Sequence, residues 1–128
     1  MTMADHIPEY LRSHVLAGDR LSVSLTDRAR ELASQLTPGG RAAVTLVKEA
    51  GITVVLLALA KSNELTDHHA PGAATVQVLE GQIEIAGGAR PITGEAGALV
   101  TFAPGVEHSI KALTDSTVLV TVVAPPAG

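Results

Sequence analysis

Histidines are the residues of this chain best suited to chemistry: the adjacent pair His68 and His69, and His108 further on. Imidazole is the commonest protein ligand for transition metals and an equally good hydrogen-bonding anchor for a small molecule. Gln77 joins them as a candidate ligand-binding side chain. It is a polar residue inside the apolar run Thr75-Val76-Gln77-Val78-Leu79, and it needs a partner if buried. Glu64 and Asp67 lie close enough to the histidine pair to serve as carboxylate ligands, and Glu107 could tune its neighbour His108. Glu80 reads as a surface turn residue, and His6 and His14 as solvated or interface residues.

Other chemistries find little support. The chain has no cysteine, which excludes disulfides, thiolate nucleophiles and cysteine-ligated zinc or iron–sulfur sites. Gly87-Gly88 reads as a hairpin without a following helix, so it is not a phosphate loop. No serine is flanked by glycines in the manner of a nucleophile elbow.

Composition narrows the partners. The 128 residues suffice for one domain, and 46% apolar content supports a packed core without staples. Nine Lys and Arg against thirteen Asp and Glu give a formal charge of −4, with the basic residues scattered, so no nucleic-acid footprint is expected. The longest apolar run, Ile52 to Ala60, is roughly half of the ~20 residues that span a bilayer, and no membrane partner is expected. The first residues, with Asp5, His6 and Glu9, do not resemble a secretory signal, and a cytoplasmic location is the expectation. Tyr10 and Phe102 are the only aromatic residues besides histidine. A pocket in this chain must therefore be lined by aliphatic side chains, without stacking platforms or cation cages.

These residues need elements to position them. Residues 1 to 20 show no clear period. A helix is expected next, with Ser24 or Thr26 as N-cap and a stripe of Leu25, Ala29, Leu32, Ala33 and Leu36, stopped by Thr37-Pro38-Gly39-Gly40. From Arg41 the pattern turns to short β-rich runs between glycine turns. Strands are expected near Ala42–Val47, Ile52–Ala60, Thr75–Glu80, Gln82–Ala86, Ala98–Phe102, His108–Ala112 and Thr117–Val123. Seven short strands at this spacing point to an all-β sandwich or barrel over residues 41–124, preceded by an N-terminal arm and helix over 1–40.

Two segments sharpen that reading. Asp67-His68-His69-Ala70-Pro71-Gly72 is followed by Thr75-Val76-Gln77-Val78-Leu79-Glu80-Gly81. Gly97 is followed by Ala103-Pro104-Gly105-Val106-Glu107-His108. Together they resemble the paired motifs of the cupin superfamily, over about residues 50 to 123, and look most like small single-domain bacterial cupins of unassigned activity. The resemblance implies an RmlC-like jelly roll, or double-stranded β-helix, whose inward side chains converge on one divalent metal: iron, manganese, nickel, copper or zinc. It further implies a homodimer paired through its sheets, in which Ile52–Ala60 packs against a second copy.

The chain also departs from the family pattern. Ala74 stands where the motif glutamate belongs, and Ala112 replaces a later asparagine. His68-His69 stands where the family spaces two histidines by one residue, and adjacent strand residues face opposite ways unless a bulge intervenes. Three arrangements follow: a three-histidine metal site of His68, His69 and His108; one of the pair with His108 and Gln77; or histidines that bind a small ligand or each other without metal. The expected function is a His-marked pocket for a divalent metal, a small metabolite or both. That is either a metal-dependent enzyme of dioxygenase or isomerase type or a non-catalytic binding or sensory module.

Overall fold

The structure is a computed structural model that describes residues 20–68, 70–87 and 90–124; at 67 and 68 it describes the backbone alone. One helix, α1 (Leu25–Ala33), precedes nine strands among these residues. They are β1 (Arg41–Glu49), β2 (Ile52–Leu59), β3 (Glu64–His68), β4 (Ala74–Glu80) and β5 (Gln82–Ala86). Then come β6 (Ile92–Glu95), β7 (Leu99–Phe102), β8 (His108–Ala112) and β9 (Ser116–Val123). Every pairing is antiparallel, in a five-stranded sheet ordered β1-β2-β9-β4-β7 and a four-stranded sheet ordered β3-β8-β5-β6. This is an all-β jelly roll.

Alternation explains the layers. Along β4, Ala74, Val76 and Val78 are buried while Gln77 and Glu80 are exposed, as expected for a strand with one face on a core. Between the sheets lies a cluster that includes Leu59, Val78, Ile83, Ile85, Ile110 and Val118. A second cluster forms on the outer face of the larger sheet, where Ala29 and Leu32 of α1 pack over Val44, Leu46, Leu56 and Ala58. Leu46 is the extra residue of a bulge in β1; it keeps the parity of Val44 toward the helix, and the bulge brings Val47 onto the same face opposite Val54.

The helix begins where expected. The Ser24 hydroxyl accepts the Asp27 N–H at 3.3 Å, which makes Ser24 the N-cap in place of Thr26. The stripe is narrower than expected, for Ala33 is exposed at the last turn.

Two strands lie outside the sequence expectation. β3, Glu64-Leu65-Thr66-Asp67-His68, carries one apolar residue and so lacks a strand signature. β6, Ile92-Thr93-Gly94-Glu95, is short and holds a buried glycine that packs against Val78. Both are strands because an existing neighbour, β8 or β5, supplies the ladder.

Candidate functional site

His108 opens β8, and the turn before it decides where the ring goes. Gly105, at φ +77°, donates its N–H to the Ala70 carbonyl at 2.8 Å, which ties the loop before β8 to the loop after β3. The His108 ring then stacks on Phe102 of β7, with centroids 4.5 Å apart and planes 12° from parallel. Its Nδ1 lies 3.2 Å from the Val106 carbonyl oxygen. A neutral ring that donates from Nδ1 carries its lone pair on Nε2, the atom suited to accept from a ligand or to bind a metal. Phe102, the sole phenylalanine, thus serves to orient the imidazole, a role that composition did not suggest.

The half-buried imidazole lines a cavity of about 550 Å³ between the two sheets. Ala43, Val55, Leu57, Ala74, Val76, Val120 and Val122 line it from the larger sheet. Leu65 and Ile110 face them from the smaller one, with Ala70 from the loop after β3. Arg41, the first residue of β1, adds a guanidinium. The aliphatic lining agrees with the expectation from composition. Arg41 and Ala43 are exposed, whereas Ala74 and Val76 at 2% and 0% exposure are buried, so the cavity opens along β1.

The other candidates fall in different places. Cα of His68 is the register partner of Cα of His108, so two of the histidines stand on paired rungs. The ladder skips between Leu65 and His68, which places a bulge just before the histidine pair. The side chains of Asp67 and His68, and the whole of His69, lie outside the described residues. Gln77 is exposed on the outer face of the larger sheet and is absent from the cavity lining. Its parity is opposite to that of Ala74 and Val76, and the ladder with β9 keeps that parity. Glu64, Glu80 and Glu107 are exposed as well.

Ala74 brings a methyl group to the cavity wall where a carboxylate would be needed, and Ala112 is buried in the core. Among the described residues no group of three His, Cys, Asp or Glu side chains converges. His108 alone is too small a donor set to retain a divalent metal, so the described residues do not by themselves fit one.

A family model described as a cupin domain matches residues 55–124, more than half of the chain. The chain is a cupin. No curated protein matches it. Among solved structures, this cupin is similar to the conserved SPY1581 protein of unknown function from Streptococcus pyogenes. The two are 24% identical with a TM-score of 0.72, over 90% of this chain and 97% of that one. It is similar as well to salicylate 1,2-dioxygenase from Pseudoaminobacter salicylatoxidans, at 20% identity and a TM-score of 0.64, over 77% of this chain and 31% of that one. The third, DMSP lyase DddQ from Ruegeria pomeroyi, is 17% identical with a TM-score of 0.61, over 66% of this chain and 47% of that one. At these identities the likeness shows the shared fold.

Arg41 is the site residue that sequence reasoning missed. The expected strand begins near Ala42, just after the stop at Thr37-Pro38-Gly39-Gly40, and leaves Arg41 at the boundary. The strand starts one residue earlier, and Arg41 then shares the inward parity of Ala43. The described residues contain no helix long and apolar enough to cross a membrane.

Proposed function

We propose that this cupin binds a small, mainly aliphatic molecule inside its barrel, with His108 as the polar anchor, in a binding or sensory role. One observation carries the reading: an aliphatic cavity of about 550 Å³ with the His108 imidazole fixed in its wall. Cavities of roughly 300–1,000 Å³ with few, well-placed polar groups are the usual form of small-molecule sites. Titration of labelled protein with 1-octanol, followed by NMR, tests it. Saturable shifts at Val55, Val76 and His108 are expected, and Val76→Trp, which fills the cavity, should abolish them. Shifts scattered over the surface, or none, would overturn the reading.

A metal-dependent enzyme is the second reading, favoured by the pairing of His68 with His108 across the ladder. In it His68, His69 and His108 would be the ligands of iron, manganese, nickel, copper or zinc. Elemental analysis of protein purified without chelators or nickel resin, repeated on His108→Ala, separates the two. Stoichiometric metal that disappears in the variant would favour the enzyme, and metal absent from both would favour ligand binding alone.

A homodimer completes the proposal. Ile52, Leu99 and Val123 are exposed on the outer face of the larger sheet, where a second copy could cover them. The centre of β2 differs from expectation, since Leu56 and Ala58 lie under the chain's own helix.

A further inference from the structure

We infer that the molecule bound in the barrel is an amphiphilic monocarboxylate, and that Arg41 at the cavity mouth is the residue that recognises its head group. The inference rests on the ligand-binding reading above. Among the described residues Arg41 is the single side chain of fixed charge in the cavity lining. The charge is positive in a chain whose formal net charge is −4, so the lone cation does not follow from an overall basic surface. Among the described residues no carboxylate pairs with it, and a guanidinium presents a planar fork that matches a carboxylate.

The position of Arg41 is built rather than incidental. The Gly40 carbonyl accepts the Ala60 N–H at 2.9 Å, and the Gly39 carbonyl accepts from the Asn63 side-chain amide at 2.9 Å. The chain entering β1 is thereby clamped on both residues before Arg41, and the first rung, Arg41 with Leu59, follows at once. Arg41 stands at the open side of the cavity while Val76 and Ile110 lie deep at 0% and 3% exposure. A ligand that fits this gradient keeps an anionic head near water and buries an aliphatic tail. Head-out binding avoids the cost of desolvating a carboxylate fully. One fork suits one carboxylate; a dianion would call for a second cation, and the described lining residues supply none.

The test compares sodium octanoate, 1-octanol and sodium acetate by calorimetry on wild-type protein, Arg41→Met and Arg41→Lys. Octanoate should bind wild type about tenfold or more tighter than octanol, the scale of a charge-assisted hydrogen-bonded pair. Arg41→Met should erase that advantage, bringing the ratio of octanoate to octanol affinity down to about one. Arg41→Lys should restore part of it, and acetate, lacking a tail, should bind weakly to all three. Equal affinity for octanoate and octanol in wild type would overturn the carboxylate inference and leave the pocket reading intact. An octanoate preference that survives Arg41→Met would overturn the role of Arg41. Failure of wild type to bind either long-chain probe would overturn the ligand-binding reading, and this inference with it.

Discussion

His108 is held from two sides, by the face of Phe102 and by the Val106 carbonyl. Phe102→Leu removes the stacking face but keeps an apolar side chain, so it should cost about 1–2 kcal/mol in urea unfolding. The same variant should broaden or shift the His108 ring resonances while His108→Ala, half-buried and at the cavity wall, changes stability less. A pair of glycines gives a cleaner comparison. Gly81 and Gly51 have φ of +83° and +94°, so alanine is strained at both. A Cβ on Gly81 would also strike the Asp115 carbonyl and Ser116, whereas one on Gly51 meets open space. Gly51→Ala should therefore cost about 1 kcal/mol and Gly81→Ala clearly more, with the difference reporting the collision alone. Equal losses in denaturant titrations would contradict that geometry.

At the scale of elements, α1 serves as a cover for the outer face of β1 and β2 rather than as part of the pocket. Leu32 is 4% exposed beneath it, and Leu32→Ala should destabilise by about 2–4 kcal/mol. Ser24→Ala removes the cap on the Asp27 N–H and should cost about 1 kcal/mol. Neither variant should change octanol affinity at a temperature where the protein stays folded, because the helix and the cavity lie on opposite faces of one sheet. Parallel loss of stability and binding would mean that the helix shapes the cavity. Strand β3 illustrates a different dependence: its polar sequence becomes a strand through its ladder with β8, and that ladder brings His68 level with His108.

For the whole molecule, the exposed Leu99, at 64%, together with Ile52 and Val123, marks the uncovered part of the larger sheet. Light scattering should give a mass of two 13.1 kDa chains, and Leu99→Glu should shift the population to one. A wild-type mass of one chain at high concentration would remove the dimer from the proposal. The cavity opens at the β1 edge, and α1 covers the outer face of β1 and β2. The proposed binding and pairing surfaces are therefore different, and Leu99→Glu should bind octanoate as the wild type does.

Much of this architecture was legible in the sequence. Glycines at 81, 97 and 105 and His108 stand at the spacings of the paired cupin motifs, and all three glycines take positive φ. Short runs rich in Val, Ile, Leu and Thr between glycine turns predicted the main strands, and Ala74 marked the place of the motif glutamate. Those features are local: each depends on one residue's backbone freedom or on the two-residue period of a strand. Where Gln77 points, how Phe102 serves His108, and that Arg41 belongs to the cavity were decided by tertiary structure. Each depends on a partner distant in the chain: the β9 ladder for Gln77, the β7–β8 juxtaposition for the stacked rings, and the opening along β1 for Arg41. Arg41 shares the face of Ala43 by the two-residue period, and its pairing with Leu59 of β2 is what carries the strand back to it.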